Sequence, residues 1–214
     1  MTDNLSLPCL MYLLAHDAEA HAPYDRARTA LLVRAAALTD LALRGRLGQD
    51  GDTVTASGTP PTGDVVLDGV LRDAQDGHGF KYLMRRHRKR TLTAVEDQLA
   101  AAGLVTLKEL RAPFGARRLT VTDPAVPAAV HARVATALHG TTPVAELPAT
   151  DAALLALAAA GGIGSVISRR EHKTHRARVD ACTKSLANLA PGLEHALRAL
   201  PTTMIAAQGG MGGS

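Results

Sequence analysis

The segment from Asp25 to Arg44 constrains the fold more than any other part of the sequence. Its apolar residues lie on two separate stripes of a helix: Leu31, Leu38 and Leu41 on one, and Leu32, Ala36 and Leu43 on the other. A helix that is apolar on nearly every side has to be surrounded by other elements of the fold. We therefore expect a central, buried helix here, with Gly45 as the left-handed residue that ends it.

The core has to be built from small and aliphatic side chains. Hydrophobic residues make up 46% of the 214 residues, but aromatic residues make up only 2% and there is no tryptophan. Such a composition favours helix-on-helix packing over a sheet-rich sandwich. At this length we expect one domain over residues 1–205, followed by a flexible glycine-rich tail at 206–214.

Local patterns predict the other elements. Ser6 is expected to cap a first helix through Leu14, and Asp64 a helix with Val66 and Leu71 facing inward. Further helices are expected at 92–102, 126–138, 151–160 and 169–189, and after residue 192. Two β-hairpins are predicted, one at 45–56 around an Asp50-Gly51 turn and one joining strands at 104–110 and 117–122. The expected fold is mainly α, a single-domain helical bundle with two projecting β-hairpins.

The sequence contains no motif that indicates an enzyme. The glycine-rich run from Gly161 to Ser165 follows a helix instead of a strand and lacks the Gly-Lys-Ser/Thr ending of a phosphate-binding loop, so we expect an interhelical loop. The segment from Glu171 to His175 lacks the His-Glu-x-x-His order of a zinc helix, which predicts solvent-exposed histidines. Cys9 and Cys182 are expected to be reduced core thiols. We expect no catalytic activity, no cofactor and no metal.

The basic character of the chain has two explanations. The formal charge is +4 and the isoelectric point is about 9.4, which favours an anionic partner, although a GC-rich genome also produces an arginine- and alanine-rich chain. Arg34 lies on an apolar stripe of the central helix, where a charge requires either an internal ion pair with an aspartate or an anion in an opening. The run from Arg85 to Arg90 is either a solvated helical face or a phosphate-binding cluster.

Two longer segments carry a resemblance to a known family. Residues 41–47, Leu-Ala-Leu-Arg-Gly-Arg-Leu, and residues 61–71, Pro-Thr-Gly-Asp-Val-Val-Leu-Asp-Gly-Val-Leu, resemble segments of the Golgi phosphoprotein 3 family in the same order. The Leu5-x-Leu7 opening and the stretch from Leu99 to Val105 also fit. The resemblance extends over most of residues 5–200, and it implies a helical core with projecting hairpins. It also implies a peripheral protein on the cytoplasmic face of a membrane.

The resemblance implies a basic pocket for the headgroup of phosphatidylinositol 4-phosphate, or a bacterial equivalent. Counting from the motifs places Arg34 and Lys89 on pocket positions. Leu92 stands where a further arginine is expected, and Asp25 where an aromatic residue is expected, with Tyr24 beside it. The implied headgroup-binding residues are Tyr24, Arg34, Arg88, Lys89 and Arg90.

The second hairpin resembles the family's projecting hairpin, which contributes to membrane contact and self-association. Its tip is apolar and its flanks are basic, a composition suited to the bilayer interface, although a plain surface turn remains the alternative. The implied contact residues are Leu110, Arg111, Phe114, Arg117, Arg118 and Leu119. The expected partners are an anionic phospholipid membrane, a second copy of the chain through this hairpin, and client proteins of an adaptor.

A winged-helix DNA-binding regulator is the alternative function. The helix at 92–102 and the basic hairpin after it have the order of a recognition helix and a wing. Glu96, Asp97 and Gln98 are predicted to be exposed on that helix, where the two carboxylates would repel DNA phosphates. We therefore disfavour a nucleic-acid partner. No apolar run reaches the length of a bilayer span, so we expect a cytoplasmic protein whose membrane contact is peripheral.

Overall fold

The computed structural model describes residues 4–17, 22–109 and 117–201. Within these ranges the α-helices are α1 (Leu7–Leu14), α2 (Arg26–Leu43), α3 (Val65–Asp73), α4 (Phe80–Arg85), α5 (Arg88–Ala101), α6 (Ala125–His139), α7 (Ala149–Gly161), α8 (Arg169–Thr174), α9 (Arg176–Ser185) and α10 (Pro191–Arg198). The strands are β1 (His16–Asp17), β2 (Ala22–Pro23), β3 (Leu47–Asp50), β4 (Thr53–Ala56), β5 (Val105–Glu109) and β6 (Arg117–Val121). The prediction of a mainly α, single-domain fold is confirmed.

The described strands pair only two by two, and every pair is antiparallel. The pairs β3–β4 and β5–β6 are the two predicted hairpins. In the first, Asp50 pairs with Thr53, so the turn residues are Gly51 and Asp52, and Gly51 has a positive φ of 54°. The pair β1–β2 was not predicted, because strands of two residues are too short to show an alternating pattern.

Helix α2 lies at the centre of the molecule, as predicted. Every residue from Thr29 to Ala42 is buried, and α1, α3, α4, α5 and α7 all pack against it. The Asp25 carboxylate accepts a hydrogen bond of 2.9 Å from the Arg28 amide and caps the helix. Gly45 follows the last turn with a φ of 66°. The ends of α2 are therefore fixed by residues that lie next to it in sequence.

The start of α1 depends on a different part of the chain. Ser6 occupies the cap position, but the predicted side-chain cap is not formed, and the Ser6 hydroxyl lies 3.5 Å from the Cys9 sulfur instead. The Leu7 amide donates a 2.7 Å hydrogen bond to the Asp40 carboxylate on α2. By contrast, the predicted cap of α3 forms, because Asp64 accepts from the Leu67 amide at 2.9 Å. Helix α1 is thus capped by its packing partner.

The single helix predicted at 169–189 is wrong. The segment forms α8, α9 and a short 3-10 turn, with a break at His175, where φ is −103°. Ser168 and Glu171 form a reciprocal capping box that starts α8 as a separate element. Cys182 on α9 is buried and free, and so is Cys9 on α1, as predicted. Burial raises the pKa of Cys9 to about 12, so this thiol is unreactive in the folded protein.

Arg34 is buried in the core and joins four helices. Its side chain is 1% exposed, and its Nη1 lies 2.9 Å from the Asp73 carboxylate at the end of α3. The same nitrogen donates to the Thr91 hydroxyl on α5 at 3.1 Å, and Nε donates to the Leu83 carbonyl on α4 at 2.9 Å. Burial lowers the pKa of Arg34 and Asp73 opposes this effect, but an arginine stays protonated. Of the two alternatives for Arg34, the structure contains the internal ion pair.

We expect Asp73→Ala to lower the free energy of unfolding by about 3 kcal/mol, because it leaves the buried Arg34 charge without its partner. Chemical denaturation followed by circular dichroism measures the change. Arg72→Ala is the matched control, since Arg72 is exposed and adjacent in sequence. In the Asp73→Ala background, Arg34→Met should restore part of the lost stability. Equal stability of the Asp73 and Arg72 variants would contradict a structural role for the ion pair.

Candidate functional site: a basic groove between two helices

A sharp corner separates α4 from α5. Helix α4 ends at Arg85, Arg86 is extended, and His87 adopts a left-handed conformation with a φ of 55°. This conformation is uncommon for a residue other than glycine. The corner divides the basic run, so that Arg88, Lys89 and Arg90 form the first turn of α5. The run is therefore not one continuous helical face.

The start of α5 concentrates positive charge. No side chain among the described residues caps it, and its first turn contains no acidic residue. The free backbone amides at a helix start and the helix dipole both favour negative charge. Here Arg88, Lys89 and Arg90 add three cationic side chains to those amides. Such a helix start is suited to binding an anion.

A groove of about 410 Å³ opens between α2 and this first turn of α5. The groove is lined by Arg26, Ala27 and Ala30 from α2 and by Arg88, Lys89, Leu92 and Thr93 from α5. The two alanines leave space between the helices, while the cations lie where the groove meets solvent. The arrangement combines an apolar floor with a basic rim.

Arg26 is held at this rim by a buried carboxylate. Its two terminal nitrogens bind both oxygens of Glu96 at 2.5 and 2.9 Å, and Glu96 is fully buried while the Arg26 side chain is 46% exposed. The hydrogen bonds that Arg26 donates to Glu96 raise the pKa of Arg26. The prediction that Glu96 is exposed is therefore wrong, because Arg26 neutralises the carboxylate inside the fold. Arg26 could not be predicted as a site residue, since nothing near it in sequence indicates Glu96 as its partner.

The structure distributes the predicted headgroup-binding residues over three places. Arg88 and Lys89 line the groove, and Arg90 is exposed on the same turn of α5. Arg34 lies one turn beyond Ala30 on the same stripe of α2, but it is enclosed by the core. Tyr24 is 57% exposed and lines a different cavity, together with Arg28. The groove thus gathers Arg88 and Lys89 with Arg26, whereas Tyr24 lies elsewhere.

Only part of the predicted hairpin site is described. Leu110, Arg111 and Phe114 lie outside the described residues, and Arg117 begins β6. Arg118 is exposed on that strand. Leu119 is fully buried opposite Leu107, so its side chain packs into the core beneath the hairpin.

The remaining motifs form connections between helices. The glycine-rich loop begins where Gly162, with a φ of 59°, ends α7, which agrees with the predicted interhelical loop. His172 is exposed, and His175 is half-buried with its Nε2 3.2 Å from Nδ1 of His139. Among residues 4–17, 22–109 and 117–201, no group of three or more potential ligands could hold a metal ion. Over the same ranges, no helix has both the length and the hydropathy of a bilayer span.

Comparison with known proteins identifies the family. No curated protein sequence matches this chain. The family model described as Golgi phosphoprotein 3 (GPP34) matches residues 7–200, which is nearly the whole sequence. The match includes α1 through α10, and therefore both helices that form the groove. The chain belongs to the Golgi phosphoprotein 3 family.

Proposed function

We propose that this protein is a peripheral membrane protein that binds anionic, phosphoinositide-type headgroups in the groove between α2 and α5. One observation carries the proposal: the uncapped start of α5 places Arg88 and Lys89 at the mouth of the groove with no acidic residue in the turn. Membership of the Golgi phosphoprotein 3 family supports the same ligand class.

The groove offers cationic side chains and free backbone amides to a phosphorylated headgroup. Arg88 presents a forked guanidinium, which matches phosphate geometry, and Lys89 a compact ammonium. The free amides of the first turn add directed donors. Ala27 and Ala30 add an apolar surface beside these donors. Arg26 lies at the rim, but its ion pair with Glu96 occupies its two terminal nitrogens and balances its charge, so Arg88 and Lys89 supply the net positive charge.

Residues outside the groove have supporting roles in the proposal. Arg90 adds to the positive field, and Arg34 holds the first turn of α5 in place through Thr91. The β5–β6 hairpin supplies a second membrane contact through Phe114 and Arg118, and is the proposed surface for self-association. On the cytoplasmic face of a membrane, such a protein would act as an adaptor for client proteins. No catalytic step is part of the proposal.

We expect the double change Arg88→Ala and Lys89→Ala to weaken binding to vesicles that contain phosphatidylinositol 4-phosphate by roughly 30-fold, because each basic group near an anionic surface contributes about 1 kcal/mol. Vesicle flotation at several salt concentrations measures the change, and binding should fall as salt rises. The matched control is Arg170→Ala with Lys184→Ala, which removes two exposed cations from α8 and α9. Thermal melts verify that both variants fold. An equal loss of vesicle binding in the control variant would show that binding depends on the net charge of the protein and not on the groove.

Duplex DNA in the same assay tests the alternative function. We expect DNA to dissociate at physiological salt while the vesicles remain bound, because the groove presents few cations and a DNA site requires many phosphate contacts. Retention of DNA without retention of vesicles would replace the lipid proposal by a DNA-binding one.

The hairpin should add affinity without selectivity. We expect Phe114→Asp to weaken binding to every anionic vesicle by a similar factor, since burying a phenyl group contributes roughly 1.5–3 kcal/mol whatever the headgroup. Lys89→Ala should instead reduce the preference between headgroups. Val65→Asp is the control, because Val65 is 76% exposed on α3. If Phe114→Asp changes the headgroup preference and Lys89→Ala does not, the assignment of affinity to the hairpin and of selectivity to the groove is wrong.

A further inference from the structure

A second basic cavity lies on the other side of α2. One part, of about 170 Å³, is lined by Tyr24, Asp25, Arg28 and the glycine-rich loop. A larger part, of about 710 Å³, shares Arg28, Gly162 and Gly164 with the first and extends to Arg169 and His172 on α8. Arg26 and Arg28 are two residues apart, so they project about 200° apart around the helix. The second cavity is therefore separate from the groove of Arg26, Arg88 and Lys89.

The charge in this cavity is predominantly positive. Arg28 and Arg169 line it, and Asp25 is its one acidic residue among the described ones. Asp25 caps α2, and its second oxygen lies 3.9 Å from Arg28 Nε, which is too long for a hydrogen bond. Arg28 Nε is buried and has no hydrogen-bond partner among the described residues. Within the same residues, Arg169 forms no ion pair and the terminal nitrogens of Arg28 donate no hydrogen bond. These nitrogens, and not the enclosed Nε, are the donors that remain for a ligand.

The glycine-rich loop adds backbone donors beside Arg28. Within the described chain, the amides of Gly164 and Ser165 donate no hydrogen bond, and both residues line the smaller part of the cavity. A Cβ added at Gly164 would meet no atom within 4 Å, so the space on that side of the Gly164 Cα is open. Successive free amides next to an arginine form a concave anion-binding surface.

The larger part of the cavity has an apolar floor. Ala158, Ala159, Ala160 and Ile167 line it between the loop and α8. A ligand whose phosphate lay against Arg28 and the Gly164 amide could place an apolar portion on this floor. Arg169 and His172 would lie at the far end. The cavity thus suits a phosphate ester better than a bare inorganic ion.

We propose that this cavity is a second anion-binding site, which takes a phosphate ester through Arg28, Arg169 and the amides of Gly164 and Ser165. The site does not depend on the α2–α5 groove. A lipid headgroup and a free phosphate ester share this chemistry, and the experiment separates the two sources.

The first arm measures binding of glycerol 3-phosphate to the full chain by isothermal titration calorimetry. Arg28→Ala and Arg169→Ala should each weaken binding at least fivefold, while glycerol, which lacks the phosphate, should not bind. Arg170→Ala is the matched control, because Arg170 is the exposed neighbour of Arg169 and does not line the cavity. Lys184→Ala, which removes an exposed cation of α9 that lines neither part of the cavity, should leave this binding unchanged.

The second arm uses phosphatidylcholine vesicles that contain phosphatidic acid, with every protein in the Lys89→Ala background. If a lipid supplies the phosphate, Arg169→Ala reduces flotation further. If a free ester supplies it, flotation is unchanged and only glycerol 3-phosphate binding is lost. Both results support the site.

The proposal is overturned if Arg169→Ala changes neither measurement, or if Arg170→Ala causes an equal loss. Arg169 is exposed, so this variant remains informative even if Arg28→Ala fails to fold. Failure of the groove variants to affect vesicle binding would reject the proposed function and leave this second site untouched.

Discussion

The buried guanidinium of Arg34 is the interaction on which the other features of this molecule depend. Taking an arginine out of water costs several kcal/mol, and this is offset only where an acid and further acceptors surround it. Three different helices supply acceptors to its Nη1 and Nε: the Asp73 carboxylate, the Thr91 hydroxyl and the Leu83 carbonyl. Leu83 and Thr91 lie on either side of the corner at His87, so the same side chain positions the end of α4 and the beginning of α5. The exposed, uncapped first turn of α5 follows from this arrangement.

Helix α2 separates the two basic cavities. Its N-terminal end carries Arg26 towards one cavity and Arg28 towards the other. Small residues create the space on both sides, Ala27 and Ala30 in the groove and Ala158 to Gly162 in the second cavity. A larger residue than glycine would clash at position 161, since a Cβ there would lie 2.6 Å from the Leu32 side chain on α2. Close packing of α7 against α2 therefore brings the glycine-rich loop next to Arg28.

Part of the candidate site could be predicted from the sequence. Arg88 and Lys89 were predicted because basic residues are concentrated there, and because counting from the family motifs places Lys89 on a pocket position. Arg26 was missed because its partner Glu96 lies 70 residues away, and an isolated arginine at a helix start carries no signal of its own. Tyr24 was assigned to the same site from its position in the sequence. Side chains that follow one another at the start of a helix point in different directions, however. Arg26 faces the groove, whereas Tyr24 lines the second cavity beside Arg28.

The sequence by itself determined the helical class, the buried central helix, the two hairpins, the cap at Asp64 and the helix end at Gly45. These features depend on periodicity and on hydrogen bonds that span a few residues, so local sequence is sufficient to specify them. Only the tertiary structure decided that Asp73 neutralises Arg34, that Glu96 turns inward and that Asp40 caps α1. Each of these contacts joins residues more than 30 positions apart. The physical reason is desolvation: a charge becomes stable inside the fold only when packing brings a partner to it, and no local pattern encodes where that partner lies.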